Sequence, residues 1–175
     1  MYKRFILLLV LLLLLGSAGV QAQNNALNND NDNGFFNIAV SASVLTTDVT
    51  VVTIRDLLLD QQVASAGTLQ IDPQNDFQAG KLRAEGRPNA EVRISFLRER
   101  ELSRTGGQEQ LLFMYAVSGN DTNDQPSSEL LDLDNRDFQL NDDGEFFFWV
   151  GGTADISGAV EGSYDGEFTI EIEYL

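Results

Sequence analysis

The side chains that could do chemistry in this sequence are almost all carboxylates. There are 27 Asp and Glu against 11 Lys and Arg, with no His and no Cys. The cysteine count excludes thiol catalysis and cysteine metal sites. The histidine count excludes a Ser-His-Asp triad and removes the group most used for proton transfer near neutral pH and for binding zinc. What remains is a pair of acids in a cleft, as in glycoside hydrolysis. With so many acids, no spacing singles out such a pair. No catalytic residue, cofactor or metal ligand is assigned, and the chain is read as a non-enzyme.

Two Asn/Asp clusters invite a calcium reading. With Gly34 at the turn position of an EF-hand loop, Asn29, Asn31 and Asn33 become early ligands. The twelfth position is then Val40, which has no side-chain oxygen, so the motif fails. Residues 118–128 form a polar loop in which Asn120, Asp121, Asn123 and Asp124 offer oxygen ligands; the same residues also build ordinary turns. The main basic cluster is Arg98, Arg100 and Arg104, interleaved with Glu99 and Glu101. It reads as a solvated hairpin connection, or as a docking spot for an acidic neighbour.

The elements that must position these groups are strands. The clearest runs to the end of the chain. Phe168, Ile170, Ile172 and Tyr174 alternate with Glu167, Thr169, Glu171 and Glu173, a period of two that a half-buried strand produces and a helix does not. These four residues are expected to form one wall of the core. Phe36, Ile38, Val40, Ala42 and Val44 alternate in the same way, with no charge from residue 35 to 47. Residues 49–54 are apolar on both faces and are expected inside a sheet. Residues 67–71, 77–84, 92–97, 110–117, 145–150 and 153–160 read as further strands, while 57–62 fits a strand or a turn. Gly86, Gly144, Gly151, Gly152, Gly162 and Gly166 are read as turns or breaks between strands, with Pro88 and Asn89 completing the turn at Gly86. No stretch has a convincing helical period. About ten short strands predict an all-β sandwich or barrel.

Residues 1–22 read as a secretory signal peptide. Lys3 and Arg4 precede an unbroken apolar run over 5–15, and small residues lead to Ala22. The run is shorter than the ~20 residues of a spanning helix, so no stable membrane span is expected after cleavage. Residues 23–34 are Asn/Asp-rich and read as a disordered tether. Residues 35–175 are expected to form a single β domain that holds by packing alone, without disulfides. Loss of Lys3 and Arg4 with the leader takes the formal charge from −16 to −18. Such a chain repels nucleic acid and anionic lipid.

Particular residues carry a resemblance. The segment Gly86-Arg87-Pro88-Asn89-Ala90-Glu91-Val92-Arg93-Ile94 resembles the G-x-P-N-x-x-x-x-I segment of the bacterial family DUF4402. Gly144, Phe148, Val150-Gly151-Gly152-Thr153 and then Gly162-Ser163-Tyr164-Asp165-Gly166 with the final alternation are similar to that family's closing pattern. The resemblance covers about residues 49–175. That family resembles in turn the spore-coat-U-like and chaperone–usher pilin domains, which close on an alternating strand, a penultimate tyrosine and a glycine fourteenth from the end. Here those are Tyr174 and Gly162. The absence of a disulfide departs from many pilins.

The resemblance implies an immunoglobulin-like, pilin-like antiparallel β-sandwich lacking one strand. It implies a non-enzymatic structural subunit, periplasmic, at the cell surface or extracellular, that polymerises by β-strand donation. Phe36, Ile38, Val40, Ala42 and Val44, within residues 35–47, would be the donor strand. Phe168, Ile170, Ile172 and Tyr174 would line the acceptor groove. The expected partners are the protein itself or related subunits, and a periplasmic chaperone. The alternative is a monomeric exported β-sandwich that binds carbohydrate or calcium, in which residues 36–44 complete their own sandwich. An outer-membrane barrel would set three glutamates of the last strand against lipid, where they are not tolerated.

The mature protein is expected to start at Gln23. Amino-terminal sequencing of exported material checks this, and a start at Met1 in the membrane fraction overturns it.

Overall fold

A computed structural model describes residues 36–45, 49–59, 64–65, 67–131 and 136–175. The expected signal peptide (1–22) and tether (23–34) lie outside the described residues. The described chain is all-β, with one short 3-10 turn at Gln125–Ser127. Its strands are β1 (Phe36–Leu45), β2 (Thr50–Arg55), β3 (Leu57–Leu59), β4 (Ala64–Ser65), β5 (Thr68–Ile71), β6 (Gly80–Glu85) and β7 (Glu91–Phe96). There follow β8 (Glu99–Arg104), β9 (Gln110–Asn120), β10 (Glu129–Leu130), β11 (Arg136–Gln139), β12 (Glu145–Asp155) and β13 (Gly162–Tyr174).

All belong to one sheet. From one edge to the other it runs β3, β1, β13, β8, β9, β12, β6, β2, with β7 and β11 added beside β13, β5 and β4 beside β12, and β10 on β9. The sheet curls until its ends nearly meet. The chain passes from β2, on the edge of β6, through Asp56 to β3, on the edge of β1. At this seam Gly80 lies so close to Leu57 that a Cβ on the glycine would sit 3.1 Å from the Leu57 nitrogen. The result is a sheet almost closed into a barrel around one apolar core.

The last strand behaves as its alternation predicts. Phe168, Ile170 and Ile172 are fully buried, Tyr174 is partly buried, and Glu171 and Glu173 face out. On the same side lie Ile38, Phe113, Phe148 and Tyr164, and Trp149 is buried on the other face of β12 beneath Lys81, all with essentially no exposed surface. Phe168 touches the rings of Phe96 and Tyr115, and Phe138, Phe146 and Phe148 form a second aromatic group.

Several expectations are corrected. Not every pairing is antiparallel: β1 lies parallel to β13 over ten residues, from Phe36↔Gly162 to Leu45↔Glu171. Gly151 and Gly152 do not interrupt a strand, since β12 runs through both. They sit where β12 changes neighbour, from β6 up to Val150 to β5 from Gly152 onward. A side chain on Gly152 would collide with the Met114 carbonyl, and its φ of +151° suits only glycine. Gly166 likewise lies inside β13, where a Cβ would strike Leu102, and Gly162 is that strand's first residue. Glycine's lack of a Cβ serves close approach here, not a turn.

Residues 98–108 are not merely a connection. β8 takes its place between β13 and β9, with Leu102 fully buried and Glu99 and Glu101 exposed on the other face. β2 is not inside the sheet. Among the described residues it pairs only with β6, and Val52 and Ile54 are 37% and 48% exposed. The strand expected over 77–84 starts at Gly80, leaving Phe77 exposed.

Ile170→Ala is expected to cost about 2–5 kcal/mol in denaturant unfolding, the usual effect of truncating a buried isoleucine. Glu171→Gln, on the outer face of the same strand, is expected to change stability by no more than about 0.5 kcal/mol.

Candidate functional site

The charged groups do not converge. Among the described residues no group of three or more acids is placed to hold a metal ion. Instead five of the arginines are spread over the surface, each beside a carboxylate. Arg93 holds Asp137 through two bonds of 2.7 and 2.9 Å, and that hydrogen-bonded guanidinium keeps the Asp137 carboxyl below its ordinary pKa. Arg83 reaches Glu145 at 3.1 Å and also bonds Glu85; Arg136 reaches Glu129 at 2.5 Å. In the basic cluster, Arg100 lies 3.7 Å from Glu167 and Arg104 lies 3.3 Å from Glu109. Two of its three cations are therefore matched by acids, one on β13 and one in the connection before β9.

The Asn/Asp loop after β9 is shaped by its own side chains. The Asn120 amide donates to the Asp124 carbonyl and to Ser127, and its oxygen accepts from the Thr122 N–H. Gln125 donates to the carbonyls of Pro73 and Asp76, which ties this loop to the turn before β6.

The signature residues gather at one corner. Gly86 N–H donates to the Gly144 carbonyl at 2.8 Å. Gly144 has φ +78° and Asn89 φ +59°, so both turns expected there are real. The Tyr174 hydroxyl accepts from the Arg87 N–H at 2.8 Å, and the Arg87 guanidinium lies over the Tyr174 ring at 4.1 Å. This corner locks two turns to the last strand; it is not a cleft.

The arrangement with the most distinctive geometry is the seam where β1 lies between β13 and β3. The strand picked from sequence as a donor runs alongside the strand picked as its acceptor, within a single chain. Phe36, Ile38 and Val40 point inward, at 7%, 0% and 4% exposure, and Ala42 is partly buried. Phe36 stacks on Tyr164 with centroids 6.3 Å apart. The inward side chains taper from Phe to Ala. Where they are smallest, a cavity of ≈ 10 Å³ remains, lined by Val40, Ala42, Leu57, Leu82, Val150 and Phe168. That is about the space of one water. On the far edge of β1, β3 pairs antiparallel, Val40 against Leu57 and Ile38 against Leu59. The backbone of Val44 is paired with Ile170, while its side chain lies outside the described residues.

The groove differs from the one expected. Phe168 and Ile170 face β1, but Ile172 and Tyr174 lie beyond its end and pair with Ile94 and Val92 of β7. The groove extends the other way, to Tyr164, whose hydroxyl donates to the Val160 carbonyl at 2.5 Å. The signal for Tyr164 was present: the period of two runs back from Phe168 through Gly166 to Tyr164. Leu57 and Tyr115 also shape the site and had no such signal. Tyr115 packs on Phe168 with centroids 5.0 Å apart, and its hydroxyl lies 3.4 Å from the Glu167 carbonyl. Burial pushes the Tyr115 phenol up to about 12, with the Glu167 carboxylate adding to the rise and Arg100 opposing it.

Residues 35–174 match the family described as "Domain of unknown function (DUF4402)", and the chain belongs to that family. No curated protein matches the chain.

Because the folded-state pKa of Tyr115 is raised, the stability it contributes is complete below pH ~10, the ordinary tyrosine value. It is expected to fall as pH rises from there to about 12. Tyr115→Phe should flatten the unfolding free energy over that window, as measured by denaturant melts. A slope equal to wild type overturns this assignment.

Proposed function

We propose that this member of the DUF4402 family is a non-enzymatic, exported structural protein of the bacterial surface whose subunits join by exchanging β1. On this reading the nearly closed sheet is a pilin-like, immunoglobulin-like sandwich, and β1 is the strand it lends. The observation that carries the proposal is the parallel β1–β13 ladder. No tight turn ties β1 to β13, because a parallel pair needs a long crossover and these two strands lie at opposite ends of the chain. β1 is held only by main-chain hydrogen bonds and by Phe36, Ile38 and Val40 in their pockets. The same strand from a second subunit would make every one of those contacts, so exchange costs little.

The groove cannot stand empty. Burying those three side chains contributes on the order of 5–9 kcal/mol, comparable to the whole stability of a domain. Before exchange an occupant is needed, which is β1 of the same subunit or a strand of a periplasmic chaperone.

A second reading is favoured by a specific observation: within a single chain β1 already fills its own groove, with Ile38 completely buried. On that reading the protein is a monomeric exported binding module for carbohydrate or calcium.

Light scattering on the mature chain, with and without residues 23–47, separates the two. Exchange predicts multi-subunit species that disappear on truncation, and a truncated chain whose folding is restored by a synthetic peptide of residues 34–47. It also predicts that Val40→Asp blocks assembly, since an unpaired charge enters an apolar pocket, while the variant still caps the ends of wild-type polymers. A full-length monomer at every concentration, which Val40→Asp merely unfolds, rejects exchange.

A further inference from the structure

We propose that the cleft between β11 and the corner formed by β9 and β10 binds one hexose unit of a neutral carbohydrate. The proposal rests on the carbohydrate half of the second reading above. It does not depend on whether β1 is exchanged, because no residue of β1 lines the cleft. Among the described residues β11 pairs only with β7, and β10 only with β9. Their facing edges stand apart and leave a cleft of ≈ 270 Å³. Small-ligand sites begin at about 300 Å³, so this one suits a single ring and not a large ligand.

Two side chains cross from one wall to the other. At one end Arg136 donates to the Leu130 carbonyl at 2.8 Å and to the Glu129 carboxylate. At the other end the Asn141 amide donates to the Asp121 carbonyl at 2.8 Å. These struts hold the walls at a fixed separation. They also bound the cleft lengthwise. An extended peptide laid along the free edge of β11 would have to break both, whereas a compact ligand fits between them.

Floor and walls differ in character. The floor is aromatic: Phe138, half-buried, stacks on Phe146 with centroids 4.0 Å apart. The Phe146 ring lies against β9 because residue 119 is glycine; a Cβ there would sit 2.6 Å from the ring. The walls carry hydrogen-bond acceptors. The Gln139 amide nitrogen donates to the Asn89 carbonyl at 2.9 Å, which leaves its oxygen for a ligand. The Asp121 carboxylate is exposed and has no ion-pair partner among the described residues.

Charge narrows the ligand further. Of the three carboxylates on the walls, Asp137 is already answered by Arg93 and Glu129 by Arg136. Among the described residues no group of three acids is placed to hold a metal ion. An anion would meet the surplus acid of a chain at −16. What suits an aromatic floor beneath acceptor-rich walls is a neutral molecule with one apolar face and a rim of hydroxyl donors. A hexose ring has that form. Its C–H groups lie on the aromatic face, and its hydroxyls donate to the Asp121 and Gln139 oxygens.

The test is titration of the full mature chain with neutral oligosaccharides derived from cellulose, starch, mannan and galactan, and with anionic oligogalacturonate, followed by calorimetry. At least one neutral sugar is expected to bind, and oligogalacturonate is not. Asp121→Ala and Gln139→Ala each remove one acceptor at an exposed position. Each is expected to weaken binding about three- to tenfold, the effect of one lost hydrogen bond, with the unfolding midpoint near that of wild type. Asp121→Asn keeps an acceptor oxygen and is expected to bind nearly as well as wild type; loss of binding there marks a cationic ligand and overturns the proposal. Glu171→Gln, outside the cleft, is expected to bind as wild type does. Oligogalacturonate bound as tightly as the neutral sugars also overturns it. A neutral sugar bound equally by wild type and both alanine variants places the site elsewhere, which overturns this cleft and leaves the second reading standing. No binding by any neutral sugar rejects the cleft together with the carbohydrate reading.

Discussion

The rest of the structure depends on the parallel ladder between β1 and β13. With no cysteine to staple the chain and no α-helix among the described residues to lie across a gap, the sheet must shelter its core by curling on itself. β1 supplies the side of the curl nearest the seam. It carries Phe36, Ile38 and Val40 into the interior and presents its other edge to β3, which comes up against Gly80 of β6. The chain itself bridges the remaining opening at Asp56, between β2 and β3. Closure is thus achieved by main-chain pairing and apolar packing from segments far apart in sequence.

Two long strands act as common supports. β12 hands one edge from β6 to β5, and β13 hands one edge from β8 to β7. At these changes of neighbour the strand is crowded. Gly151 and Gly152 mark the change on β12, and Gly166 directly follows the β8 pairing on β13. The absence of a side chain lets the adjoining carbonyl of Met114 or the side chain of Leu102 come close.

The outer face is governed by charge. Five of the arginines sit beside carboxylates, and the surplus of acid spreads over the rest. Pairs this exposed contribute little stability. Their larger effect is on association, because an acidic surface keeps copies apart wherever it is not interrupted. β1 is an uncharged stretch where main-chain hydrogen bonding is free of that repulsion, and the proposed exchange lies on it.

The sequence by itself determined the all-β class, the inward row of Phe168, Ile170 and Ile172, the strand over 36–44 and the turns at Gly86 and Gly144. A period of two reports which side chains share a face, and Pro-Asn or Asp-Gly reports a local backbone geometry; neither needs a partner. Tertiary structure alone decided the rest. That β1 runs parallel to β13 depends on how two distant segments meet, which alternation cannot encode. Gly152 and Gly166 read as breaks because glycine's signal is the same for a turn and for a close approach, and the approaching groups come from Met114 and Leu102. β8 looked like a charged connection because Leu102 is a single buried residue among charges that answer Glu167 and Glu109. β2 looked like a core strand because its residues are apolar on both faces. Burial is a property of what is stacked on a strand, and here Val51 packs against the core while Val52 and Ile54 stay exposed.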